Sequence, residues 1–403
     1  MFEKDLQYRR FQLYGFLKNL RFFEPFLVLF LLSSGLSYLQ IGLLYSIKSV
    51  ATNILEVPTG IIADLFGRKK SMLFSMSSYI ISFLIFYFFY SFYLYIIAMI
   101  FFSFGEAFRS GTHKAMIFDY LKIKGIEHLK VQYYGSTRAA SQFGSALNSL
   151  IAASIVYFSG NYRKIFIFTV IPYILNFINL ATYPSFLDKT EVKKSKKATL
   201  KDFLSAIFDF KVLKILLNTS MYSGVFKSIK DYLQPVLKTF ALSIPIFVSL
   251  DNEKRTSILI GLVYFVLYLL TSVASKNSWK IGKKSSSFAL NVTLILGALS
   301  IFFAGFAYLF KLYIISIIIF VLLYIIENLR RPIAVSYISE NIKADAMASV
   351  LSVESQSTTL LTAVFSIIVG YFADKFSIGT AILISGLILL FFSFFVNVKE
   401  NQR

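Results

Sequence analysis

The stretch Glu56-Val57-Pro58-Thr59-Gly60-Ile61-Ile62-Ala63-Asp64-Leu65-Phe66-Gly67-Arg68-Lys69-Lys70 decides how the rest of the chain is read. An apolar run precedes it, and another begins directly after Lys70. A carboxylate and three consecutive cations between two hydrophobic segments cannot lie in hydrocarbon, where each ionised group costs several kcal/mol. The stretch therefore marks an aqueous boundary, and its basic excess assigns that boundary to the cytoplasmic face.

Composition agrees with a membrane protein. Of 403 residues, 57% are hydrophobic, 18% aromatic and only 15% charged, against about 25% charged in soluble domains. At about 20 residues per spanning helix, the short connections leave room for about twelve spans, a polytopic all-α protein embedded in the lipid bilayer. The net charge of +20 could be read as a nucleic-acid footprint. Most of the Lys and Arg, however, cluster in alternate loops, as the positive-inside rule requires, so no nucleic-acid partner is expected. The chain has no cysteine and two histidines, which excludes disulfides, thiol catalysis and Cys-based metal sites and argues against a His-rich metal site; no metal or other cofactor is expected. No nucleophile–base set or phosphate-binding loop is visible, so no enzymatic activity is expected.

Apolar runs predict spanning helices over 15–36, 41–65, 71–90, 92–120, 131–158 and a sixth ending near 186. Six more follow over 212–237, 256–275, 286–310, 312–337, 347–372 and 378–398. The lysine-rich segment 187–211 reads as a cytoplasmic linker between an N-terminal bundle (1–186) and a C-terminal bundle (212–403). Leu200, Phe203, Leu204, Ile207 and Phe208 recur in it at helical spacing, which suggests a short amphipathic helix on the membrane surface. With the basic loops inside, both termini are cytoplasmic.

An internal repeat runs through this pattern. Glu106-Ala107-Phe108-Arg109 in the fourth predicted helix corresponds to Glu327-Asn328-Leu329-Arg330 in the tenth. Each Glu falls about fifteen residues into its helix, near the bilayer midplane at a rise of about 1.5 Å per residue. Each Arg lies one turn further on the same face. Gly60, Asp64, Gly67, Arg68 and Lys69 then match the signature loop between helices 2 and 3 of the major facilitator superfamily, which the chain resembles over nearly its whole length. Gly282, Lys283 and Lys284 keep part of that signature in the second half, and Leu65 stands where the family often has a basic residue.

The resemblance implies twelve transmembrane helices in two pseudo-symmetric six-helix bundles, alternating access, and a loop that holds one side shut, with Asp64 facing the start of helix 11 near Met347. The run Gly105-Glu106-Ala107-Phe108-Arg109-Ser110-Gly111 is similar to helix 4 of bacterial efflux-type members. This implies a multi-pass protein of the bacterial cytoplasmic (inner) membrane, acting as a monomer on small molecules with protons as coupling ion. The fifth helix carries Gly135 and Gly144 but no proline, unlike many drug/proton antiporters, so the direction of transport stays open.

Ionisable side chains inside spans must face water or one another. Glu106 and Glu327 are the leading candidates for substrate and proton binding, with Glu24, Arg109, Lys230 and Arg330 beside them. Lys227 and Asp231 are expected to pair at i,i+4, leaving Lys230 as the available cation. Gly60, Asp64, Gly67, Arg68, Lys69 and Arg138 are assigned to a conformational gate, with Glu56 and Glu354 in a similar role. His113 reads as a packing residue. Two functions compete. One is proton-coupled efflux of amphiphilic compounds, which rests on the resemblance and the aromatic richness. The other is transport of an anionic or zwitterionic metabolite. It rests on the intramembrane charges, where nine basic residues (Arg21, Lys48, Arg109, Lys114, Arg138, Lys227, Lys230, Arg330, Arg331) stand against six acidic ones (Glu24, Glu56, Glu106, Asp231, Glu327, Glu354).

Overall fold

The computed structural model describes residues 4–188, 210–246, 248–282, 286–342 and 344–398, excluding the side chains of 210–211, 278–282 and 344–349. The helices are α1 (Leu6–Lys18), α2 (Leu27–Ser33), α3 (Tyr38–Phe66), α4 (Arg68–Phe88), α5 (Phe92–Arg109), α6 (Thr112–Ile123), α7 (Lys130–Ser159) and α8 (Lys164–Ala181). They continue as α9 (Phe210–Ile229), α10 (Leu233–Ser243), α11 (Asn252–Gly282), α12 (Ser286–Leu309), α13 (Tyr313–Asn341), α14 (Ala344–Lys375) and α15 (Ile378–Ser393). Among the described residues, eight helical segments are long and apolar enough to cross a membrane.

Three predicted spans are not continuous. The first is interrupted between α1 and α2, where a 3-10 turn over Glu24–Phe26 carries Pro25 in its first turn, so Arg21 and Glu24 stand outside regular α-helix. The fourth breaks at Gly111, whose left-handed φ of +71° is a conformation that costs other residues about 1–2 kcal/mol. The seventh breaks at a 3-10 turn over Lys230–Tyr232, and Pro235 follows in the first turn of α10. The helix expected over 256–275 runs on to Gly282, so Lys276 and Lys280 belong to a helix and not to a loop. The helix expected to end at 398 stops at Ser393. The amphipathic segment at 200–208 and the side chain of Met347 lie outside the described residues.

The chain groups into two compact units. The first holds Met1–Ser34, Val50–Lys193 and Pro245–Tyr268; the second holds Gly35–Ser49, Lys194–Ile244 and Leu269–Arg403. In the first unit α4 packs on α5 and α8, and α1 packs on α7. In the second, α12 packs on α13 and α15, and α9 packs on α14. These are equivalent pairings in the two halves of the sequence. Glycines permit the closest approaches: a Cβ on Gly305 would stand 2.4 Å from the backbone nitrogen of Leu383, and one on Gly386 would stand 2.4 Å from that of Phe302.

The signature loop is built for its turn. Gly67 has φ +107°, and a Cβ there would meet Asp188 Oδ1 at 2.1 Å. Having no side chain, Gly67 cannot cap α4, and Asp188 does so instead by accepting a hydrogen bond from the Lys70 amide at 3.2 Å.

Candidate functional site

In the first unit the charged side chains close on one another. The break after α1 frees Arg21 to turn its guanidinium toward α5. Arg21 Nη2 donates to Glu106 Oε1 at 2.6 Å, Nη1 to Glu24 Oε1 at 3.1 Å, and Nε to the Tyr173 hydroxyl at 3.1 Å. Arg109, one turn beyond Glu106 on α5, donates to the other carboxylate oxygen, Oε2, and through Nε to the Tyr79 hydroxyl at 3.2 Å. Glu106 thus sits between two guanidiniums, with buried Tyr79 and Tyr173 beneath them. Glu106 is paired with Arg109 on its own helix. Its second arginine, Arg21, comes from another element, as does the tyrosine floor, and in a chain with 25 tyrosines no sequence signal singles those two out. His113 stacks on Tyr14 with ring centroids 3.6 Å apart and lies 3.2 Å from the Tyr183 hydroxyl, which is a packing environment.

Of the residues assigned to the gate, Asp64, Arg68 and Lys69 are tied down locally. Arg68 bonds to Asp119 on α6 and reaches Asp64 at 3.5 Å, and Lys69 donates to the Tyr183 carbonyl at 2.7 Å. Gly60 is exposed, and a Cβ there would touch nothing within 4 Å. Arg138 is exposed on α7, and Glu56 accepts a hydrogen bond from Ser110 at 2.9 Å.

The second unit treats the repeated residues differently. Arg330 is 1% exposed. Its guanidinium donates to the Leu290 carbonyl and the Thr293 hydroxyl on α12, and to the Asn218 carbonyl and side-chain oxygen on α9 at 2.5 and 2.6 Å. It bolts α9, α12 and α13 together and does not copy the contact of Arg109 with Glu106. Glu327 accepts instead from Ser223 Oγ at 2.9 Å. The expected Lys227–Asp231 pair is also replaced: the 3-10 turn brings Lys230 Nζ to Asp231 Oδ1 at 2.6 Å, and Tyr45 donates to the other oxygen at 3.0 Å. Lys230 is therefore engaged, and Lys227 is the cation turned elsewhere.

Lys227 opens onto a cavity of about 230 Å³, whose lining includes Ser223 from α9, Glu327, Arg330 and Arg331 from α13, and Glu354 and Thr358 from α14. Thr358 donates to Glu354 Oε1 at 3.4 Å. Among the described residues no cluster of His, Cys, Asp and Glu suited to a metal ion is present.

Comparison with known proteins gives this arrangement its context. The chain is 23% identical over 394 residues to YxaM of Bacillus subtilis (strain 168), an uncharacterised MFS-type transporter, covering 94% of this chain and 93% of the relative. It shares its fold with the nucleoside transporter NupG, at a TM-score of 0.74 and 16% identity over 98% of both chains. The fold is also that of a D-xylose-proton symporter (TM-score 0.63, 16% identity, 98% of this chain and 97% of the other). A POT family transporter crystallised with a thioalcohol-conjugated peptide shares it as well (0.67, 14%, 96% and 93%). The sequence model of the Major Facilitator Superfamily matches residues 19–358, and the chain belongs to that family of multi-pass membrane transporters.

Proposed function

We propose that this protein is a proton-driven secondary transporter of a small, charged organic solute. The observation that carries this reading is the cavity of the second unit, where Lys227, Arg331, Glu327 and Glu354 share one lining. Charged groups placed inside a membrane protein mark solute and ion paths, because they are too costly to keep otherwise. The carboxylates supply a place for the coupling proton. The fold neighbours named for nucleosides, peptides and a sugar with a proton support transport of polar metabolites in general. Efflux of amphiphilic compounds, to which the run 105–111 points, fits less well: a pocket for lipophilic cations should carry a net acidic lining, and here three basic side chains stand against two carboxylates.

The same proposal carries a topology of twelve spans, in bundles 1–186 and 212–403 joined by 187–211, with both termini on the cytoplasmic side of the bacterial inner membrane and the monomer as the working unit. The alternation of basic loops and the equivalent helix pairings in the two units support it. In this reading the residues around Asp64, Arg68 and Lys69 control which side is open.

The test is flux in proteoliposomes under an imposed pH gradient, across a panel of amino acids, organic acids, sugars, nucleosides and lipophilic cations. Gradient-driven movement of a panel member that a protonophore abolishes supports the proposal. Movement of none, in either direction, overturns it.

A further inference from the structure

The charged clusters around Glu106 and Glu327 differ in one respect that bears on the solute. In the first unit the charges satisfy one another, with Glu106 held by Arg21 and Arg109. In the second, the cavity lining holds two carboxylates, Glu327 and Glu354, and three basic side chains, Lys227, Arg330 and Arg331. Among the described residues no Lys or Arg nitrogen lies within ion-pair distance of either carboxylate. This holds although Glu327 and Arg331 are i,i+4 neighbours on α13, a spacing at which such residues commonly meet. Each carboxylate instead takes a hydroxyl, from Ser223 and Thr358 respectively. Arg330 forms no ion pair with either carboxylate: its guanidinium donates to neutral carbonyl and side-chain oxygens of α9 and α12, and its charge adds to the basic side of the lining.

We propose that this cavity is the solute site and that its ligand is a small zwitterion, one ammonium and one carboxylate on a short carbon skeleton, with the ammonium set between Glu327 and Glu354 and the carboxylate on Lys227 and Arg331. The inference rests on the transport reading above and narrows its solute. A lone anion would bring its charge against two carboxylates, and a lone cation would meet three basic groups. A neutral amphiphile would strip water from these charges without replacing it. A ligand bearing both signs offers a partner to the carboxylates and to the basic groups alike, and the pairing against the wrong sign gives the discrimination. The size agrees: drug-sized ligands occupy pockets of about 300–1,000 Å³, and this cavity, at about 230 Å³, suits something smaller.

The experiment is a thermal-unfolding shift on the purified full chain in detergent. The probes are L-alanine, γ-aminobutyrate and dialanine, against butyrate, butylammonium and tetraphenylphosphonium. The expected result is that at least one zwitterion raises the unfolding temperature by a few degrees while its single-charge analogues do not. That shift disappears in Lys227→Gln and in Glu354→Gln, each shown by circular dichroism to keep its helicity, and persists in Glu340→Gln, which lies outside the cavity on α13. Absence of any zwitterion shift, an equal shift with butyrate or tetraphenylphosphonium, or a shift unchanged in both cavity variants overturns the inference. The two readings separate cleanly. Gradient-driven flux of an anion or lipophilic cation with no zwitterion shift sinks this inference alone. A cavity-dependent zwitterion shift without flux supports it and sinks the transport reading.

Discussion

Arg21 and Glu106, 85 residues apart in sequence, meet at 2.6 Å, and the contact is possible because the first span is not a continuous helix. The pair is largely shielded, with the two side chains 13% and 18% exposed. Removing one partner of a buried pair leaves the other charge uncompensated, at about 3–5 kcal/mol. Glu106→Gln would leave Arg109 in that condition and Arg21 with only the half-exposed Glu24, and should lower the unfolding temperature markedly. Glu24→Gln should do little, because Glu24 is 41% exposed and exposed pairs contribute about 0–1 kcal/mol. Equal unfolding temperatures for the two variants would contradict this ranking.

Arg330 should behave as a stability residue. Arg330→Lys cannot reproduce the fork that reaches Asn218, Leu290 and Thr293 together, and should cost about 1–3 kcal/mol through the buried acceptors left unsatisfied. Arg331→Gln, on the exposed neighbour, should leave the stability within about 0.5 kcal/mol of wild type. Thermal unfolding of the two variants side by side checks this, and a reversed order would refute the assignment.

Asp374 caps α3 from a distance. Its two carboxylate oxygens accept from the Tyr38 and Leu39 amides, each at 2.8 Å, at the end of a helix whose first amides have no intrahelical partner. Asp374→Ala should destabilise by about 1 kcal/mol, the usual value of a lost N-cap, and Asp374→Asn by less. Amide hydrogen exchange at Tyr38 and Leu39 should accelerate in the alanine variant; unchanged protection would show that the cap contributes nothing.

Gly305 sets the spacing of α12 against α15. A methyl there would overlap Leu383 N and the Gly379 carbonyl at 2.4 and 2.5 Å, and backbone cannot swing aside as a side-chain tip can. Gly305→Ala should cost about 1–3 kcal/mol. Gly60→Ala, where nothing lies within 4 Å, should not destabilise. Thermal unfolding separates the two outcomes.

These contacts mark what could be read beforehand. Spanning segments were legible because hydrocarbon enforces long apolar runs, and the Gly60–Lys69 signature and the Glu106/Glu327 repeat were legible because they are local strings. The helix breaks were harder: Pro25 and Gly111 are single residues inside apolar runs, and neither announces whether a helix bends or stops. The asymmetry between Arg109 and Arg330 was not legible at all. Both follow Glu by three residues, and only the tertiary position of Asn218 and Leu290 draws Arg330 away from its glutamate. The same applies to Lys227: once the turn at Lys230–Tyr232 had given Asp231 to Lys230, i,i+4 spacing no longer predicted the pair. Glu354, read as a gate residue, proves to share a cavity with Glu327 because α13 and α14 bring it there.

The most direct test of the account is uptake by proteoliposomes of whichever zwitterion shifts the unfolding temperature, driven by an imposed pH gradient, in wild type and in Glu327→Gln, Glu354→Gln and Glu340→Gln. The account predicts gradient-driven accumulation in wild type and Glu340→Gln, abolished by a protonophore, and a loss of about tenfold or more in each cavity variant, the equivalent of about 1.4 kcal/mol. Accumulation at wild-type rates in both Glu327→Gln and Glu354→Gln would contradict it.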